Sequence, residues 1–187
     1  GQVRKVNISN PSNMSLADTY SSSDNGMNYG ALDTTNNLLY VCHAGGGIDE
    51  NLLCINTGNM TLRSSITLDS TTAEAADCEI DLEEEVLYVV GYNGLGFCSV
   101  DISDPDNMAL LSQRETNTNE HRGVTLDTVN KVVYIARHET DRDRDIISYD
   151  VSNPSAMVRL QIRGTLENPH HLRLLSSGYI SSQDYSS

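Results

Sequence analysis

The chain has no tryptophan and one phenylalanine among its 187 residues. Its core must therefore rest on Val, Ile, Leu and the nine tyrosines. No run of about eighteen apolar residues occurs, which excludes a spanning helix. No helical period of apolar residues is visible either, so the expected class is all-β. Basic residues are scarce, with 12 Lys and Arg against 26 Asp and Glu and a formal net charge of −14. Such a surface repels phosphate backbones, and nucleic acid is not an expected partner. The first residue is Gly rather than Met, which reads as a processed or recombinant chain with no targeting segment left to interpret.

What is present is a phrase that returns along the chain: Val6-Asn7-Ile8-Ser9-Asn10-Pro11-Ser12-Asn13-Met14, a shortened Ile55-Asn56-Thr57-Gly58-Asn59-Met60, Val100-Asp101-Ile102-Ser103-Asp104-Pro105-Asp106-Asn107-Met108, and Tyr149-Asp150-Val151-Ser152-Asn153-Pro154-Ser155-Ala156-Met157. The spacing of roughly 45 to 50 residues fits four short strands with their turns, which is a propeller blade. A second element precedes three of these phrases, at Ala31–Val41, Glu79–Val89 and Thr125–Ile135. Each reads as a strand, a polar Asp-led turn and a β-branched or aromatic strand. A shorter copy, Leu172–Ile180, lies near the C-terminus.

The first phrase has no hairpin before it, and the last hairpin has no phrase after it. Re-entering at Gly1 from Ser187 restores the same spacing. The expected architecture is a single β-propeller of four-stranded blades over residues 1–187, with blades near 24–67, 72–114, 119–163 and 168–187 plus 1–20. An N-terminal strand then completes the C-terminal blade and no long sheet edge stays open. The same arithmetic would arise if these residues belonged to a longer ring shared with a partner chain.

With a turn centred near Ile48, Cys42 and Cys54 fall opposite each other and are the expected disulfide. Cys78 and Cys98 are separated by an intervening strand, about twice the ~4.8 Å strand spacing, and read as buried free thiols. Asn7, Asn13 and Asn59 each begin an Asn-x-Ser/Thr glycosylation acceptor. These features, with the acidity, predict an extracellular or cell-surface location.

The phrase Val100–Met108 resembles the LVIVD repeat, a β-propeller blade motif of surface proteins in which a strand reading roughly V-D-I-S-D-P is followed by N-P. Asp101, Ser103 and Pro105 carry the match, as do Asp150, Ser152 and Pro154; Asn7, Ser9 and Pro11 are a fair match. Met14, Met60, Met108 and Met157 stand where the family usually has a second proline. The resemblance implies a propeller and supplies no common catalytic motif.

Site residues must therefore come from the loops. The repeat register places His43 and His138 between second and third strands, and His121, His170 and His171 before innermost strands, so all five histidines fall on one face. Glu120, Arg122 and Glu139 share these loops, as does the segment carrying Asp141, Asp143 and Asp145. Alternation puts those three aspartates on one side, a set suited to calcium except for the interleaved arginines and the missing glycine. Neutral imidazole with carboxylate suits zinc, with His121, His170 and His171 as the metal ligands. Tyr20, Tyr29, Tyr92 and Tyr185 are placed to stack on a flat ligand. No nucleophile elbow, and no cysteine beside a predicted base, is present.

Two functional classes follow. One is a non-enzymatic binding module that presents this His- and Asp-rich face to a protein, a glycan or a small molecule. The other is a metal-dependent hydrolase with Glu120, His121, His170 and His171 around a channel metal and a bound water as nucleophile.

Overall fold

A computed structural model of the chain describes residues 1–22, 26–44, 50–69, 73–116, 120–138, 145–164, 169–175 and 178–184, without the side chains of His170, Gln183 and Asp184. The chain opens with an antiparallel pair, β1 (Gln2–Asn7) and β2 (Ser15–Ser21). A first meander follows: β3 (Met27–Asp33), β4 (Leu38–His43), β5 (Leu52–Asn56) and β6 (Thr61–Ile66). The second is β7 (Glu74–Asp81), β8 (Val86–Tyr92), β9 (Gly96–Asp101) and β10 (Ala109–Arg114). The third is β11 (Glu120–Asp127), β12 (Val132–His138), β13 (Asp145–Asp150) and β14 (Val158–Gly164), and a final pair is β15 (Pro169–Leu174) with β16 (Ile180–Asp184). Strands within each sheet neighbour one another in chain order.

Register irregularities identify the two isolated pairs. Each first–second strand pair slips near the start of its first strand, at Met27/Gly30, Ala75/Asp77 and His121/Gly123, and β15–β16 slips likewise at Pro169/His171. Each third–fourth pair slips at Cys54/Ile55, Leu110/Ser112 or Ser148/Tyr149, and β1–β2 does so at Lys5/Val6. A bulge is a built-in feature rather than noise. Hence β15–β16 is the inner half of a blade and β1–β2 an outer half, and together with the three meanders they supply the four blades of a propeller. The two halves form separate two-stranded sheets.

Local chemistry explains the turns. Asp33 Oδ1 accepts from the backbone N–H groups of Thr35 and Asn36, Asp81 from Glu83 and Glu84, and Asp127 from Val129 and Asn130. Each turn then ends on a left-handed residue, Asn37 (φ 57°), Glu85 (φ 55°) or Lys131 (φ 51°), a conformation that a hairpin of this length requires. The repeated phrase is a pair of side-chain turns. Asp101 accepts from Ser103 N–H, and Asp104 from Asp106 N–H; Asp150 with Ser152 and Asn153 with Ser155 repeat the arrangement. The last of these caps a single 3-10 turn, Pro154–Ala156. No helix among the described residues is long and apolar enough to cross a membrane.

The core lies between blades. Leu38, Leu52, Leu68, Leu87, Leu95 and Val100 fill the junction of the first and second meanders. Tyr88, Phe97, Val133, Ile135, Ile147 and Tyr149 fill the next one. Phe97 packs between Tyr88 and Tyr149, with ring centroids 6.1 and 5.0 Å away. Val3 and Tyr20 of β1–β2 pack on Val41, Leu53 and Ile55 of the first meander.

The expected Cys42–Cys54 bridge is corrected by this register. Cys42 pairs with Leu52 and Cys54 with Tyr40, so the two cysteines are diagonal neighbours, too far apart for a disulfide. All four cysteines are buried and free.

Candidate functional site in the central channel

The innermost strands β3, β7, β11 and β15 pack in succession. Each carries an unpaired edge toward the axis, and side chains on neighbouring strands satisfy parts of it. Asn28 Nδ2 donates to the Ala75 carbonyl at 2.7 Å, Val124 N–H donates to Asp77 Oδ2 at 3.2 Å, and Leu174 N–H donates to Thr125 Oγ1 at 3.3 Å. These strands border a cavity of about 640 Å³, partly open to solvent and lined by residues of all four, among them Tyr29, Asp77, Glu79, His171 and Arg173.

Asp77 and Glu79 are alternate residues of β7 and so face the same side. Burial raises the Asp77 carboxyl to about 6, against the opposing pull of the Val124 and Cys78 N–H groups and of His171. Burial, and then the charge of Asp77, raises Glu79 to about 7, with Arg173 opposing. Tyr29 from β3 meets His171 from β15, with Tyr29 Oη and His171 Nε2 2.8 Å apart and the rings edge to face. Innermost strands of the first and fourth blades thus touch through this pair.

A second polar group lies where β8 and β12 end and β11 begins. Arg122 donates to Glu120 Oε2, and its guanidinium lies 5.8 Å from the centre of the Tyr92 ring. His138 Nδ1 lies 3.4 Å from the same carboxylate oxygen. The repeat register assigns these residues to loops of one face, with Glu120 beside His121 and His138 beside Glu139 and Asp141, rather than to one group.

The LVIVD repeat model matches residues 6–22, 77–116 and 132–162. The chain is an LVIVD-repeat protein. Among solved structures it is similar to a protein from Lactobacillus plantarum, with 15% identity, a TM-score of 0.76 and coverage of 98% of this chain and 64% of that one. A functionally unknown protein from Desulfotomaculum acetoxidans DSM 771 is similar at 10% identity and TM-score 0.75, covering 97% and 56%. So is a candidate 6-phosphogluconolactonase from Bacteroides fragilis NCTC 9343, at 10% and 0.75, covering 96% and 56%. Likeness at these identities shows the propeller fold alone, and the chain spans less than two thirds of each of these structures. No curated protein matches the chain.

In this LVIVD-repeat chain the histidines do not gather as the sequence suggested. His43 and His121 are fully buried. Burial lowers His121 to about 4, opposed by Glu115, and Arg137 lowers it further. Its surroundings are therefore Glu115, Arg137 and the Gly91 backbone, whereas His171 faces Tyr29 and Asp77 in the channel. The proposed ligand set of His121, His170 and His171 is not assembled: the first is turned into a blade junction, and the side chain of His170 lies outside the described residues. Among the described residues no group of three His, Cys, Asp or Glu side chains is arranged to hold a metal. Asp141 and Asp143 lie outside the described residues as well. Asp145 is buried and ion-paired with Arg137 directly across the β12–β13 ladder.

Asp77, Glu79 and Arg173 were not singled out from the sequence, yet Glu79 and Arg173 left a signal there. Glu79 occupies the position filled by Ala31 and Thr125 in the other meanders, opposite Tyr88, Tyr40 and Tyr134 respectively. Arg173 stands at this same position in β15, third after the register slip as Glu79 and Thr125 are. A charge that replaces an uncharged residue at one repeat position marks that position as locally specialised.

Proposed function

We propose that this chain is a non-enzymatic binding module, extracellular or at a cell surface, that holds a small polar ligand in its central channel. The observation that carries the reading is the convergence of Tyr29, Asp77, Glu79, His171 and Arg173 from three innermost strands on one polar cavity of about 640 Å³. That volume falls in the range of small-molecule sites. The mixed lining suits a ligand with hydrogen-bond donors toward Asp77 and Glu79 and an acceptor or anionic group toward Arg173. The Glu120, Arg122 and His138 group supplies further polar contacts for a ligand or its entry.

The test is a thermal-shift screen against polyols, sugar acids, amino acids and polyamines, followed by calorimetry on any hit. Binding at micromolar to millimolar Kd that weakens at least tenfold in both Arg173→Ala and His171→Ala supports the channel. A hit unaffected by either substitution, or an empty screen, overturns it.

A second reading has its own support. The separate β1–β2 and β15–β16 sheets, and the 56–64% share of the solved structures that the chain covers, favour an arc of a larger propeller. On this reading the exposed strand edges pair with further blades. Native mass spectrometry separates the two, since a lone closed ring stays a monomer at all concentrations.

A further inference from the structure

Two of the four buried thiols meet across a blade boundary, and they are not the pair the spacing suggested, although Cys42 is common to both. Cys42 on β4 is fully buried and Cys78 on β7 is 4% exposed, and both belong to the core cluster that joins the first and second meanders. Strands β4 and β7 pack against each other. Cys78 Sγ lies 3.8 Å from the Tyr40 carbonyl, two residues before Cys42 on the same strand. The side chain that hydrogen-bonds with the Cys42 thiol is that of Cys78. Cys54 instead lies beside Ser64 and Tyr40, and Cys98 points its thiol at the Leu95 carbonyl.

We infer that Cys42 and Cys78 are a latent disulfide pair that staples the first complete blade to the second when the chain folds in the presence of a small-molecule disulfide such as oxidised glutathione. One protein thiolate attacks a glutathione sulfur and releases one reduced glutathione. The second thiol attacks the resulting mixed disulfide and releases the other. The glutathione S–S bond and two protein S–H bonds are replaced by one protein S–S bond and two glutathione S–H bonds, so glutathione is reduced and the cysteines are oxidised. Burial pushes the Cys42 thiol well above its ordinary range, which keeps the pair inert once the blades have closed. The bond therefore forms during folding or when the junction opens.

The experiment is refolding of the full chain in a glutathione redox buffer, acid quench, alkylation with N-ethylmaleimide, and peptide mapping. The expected result is a Cys42–Cys78 cross-link with Cys54 and Cys98 alkylated, and a Tm about 5–10 °C above that of the reduced protein. Cys42→Ser and Cys78→Ser should each abolish both the cross-link and the oxidant-dependent rise in Tm. Four alkylated cysteines, or a bridge joining a different pair, would overturn the inference. Mapping of the unmutated protein decides the matter even if a serine variant fails to fold.

Discussion

Glu79 is the least comfortable side chain of the channel. It is half-buried, it stands two residues from another carboxylate, and among the described residues nothing hydrogen-bonds its oxygens. Folding raises the proton affinity of both Glu79 and Asp77, so the folded state holds protons that the unfolded chain releases between about pH 4 and 7. Stability from these groups is present below that window and is lost as pH rises through about 6 and then about 7. Removing the Glu79 charge should remove the later part of the loss. In urea unfolding at pH 8, Glu79→Gln is expected to exceed the unmutated protein by about 1–2 kcal/mol, and the two should converge near pH 4. A variant less stable at pH 8 would mean that Arg173 already compensates the carboxylate in full. On the proposed binding reading, the channel retains such an acid for its ligand at a cost to the fold.

At the scale of elements, the repeated phrase does two jobs. Its Asp and Asn residues close the turns, as spacing alone suggested, because side-chain-to-backbone bonds two residues apart are local and legible in sequence. Its prolines and methionines also clasp the neighbouring blade, and no local pattern reveals that. Ser64 Oγ donates to the Pro105 carbonyl, Ser99 Oγ donates to the Pro154 carbonyl at 2.7 Å, and Arg114 Nε donates to the Met157 carbonyl at 3.2 Å. Arg63 adds a two-pronged pair to Asp106 at 2.7 and 2.9 Å. Met157 and Met108 are 3% and 9% exposed, while Met14, the same position in β1–β2, is 63% exposed. The methionine that replaces the family's second proline is therefore a core anchor wherever a preceding blade stands beside it. Met157→Ala is expected to cost about 2–4 kcal/mol, and Met14→Ala less than about 0.5 kcal/mol. Equal losses in chemical denaturation would mean that Met14 is also covered in solution, as it would be if another blade packed against β1–β2.

Over the whole molecule, blade number and strand roles were readable because a period of strands and turns survives any rotation of one blade against the next. The channel was less readable because its lining depends on where the innermost strands bulge. The slip at His121/Gly123 turns His121 into a blade junction, whereas the one at Pro169/His171 leaves His171 facing Tyr29. A bulge re-aims a side chain without changing the strand's apparent alternation. Stability should be graded across the same architecture. Every residue of β9 but the last is buried, and β8 is buried up to its final Tyr92, with a core cluster on either side. Strands β1 and β2 are mostly exposed and hold to the first meander through Val3, Tyr20 and the Lys5 Nζ bond to the Thr57 carbonyl at 2.9 Å. Few buried apolar contacts and an exposed ladder place a segment at the low end of the local-opening scale. In native-state hydrogen exchange, amides of β8 and β9 should exchange only through global unfolding. Those of β1 and β2 should open at a free energy lower by about 2 kcal/mol or more. If β1 instead matches β8, its free edge is paired in solution, and the comparison of β16 amides then tells whether the pairing strand is β16 of the same ring or a strand from outside it.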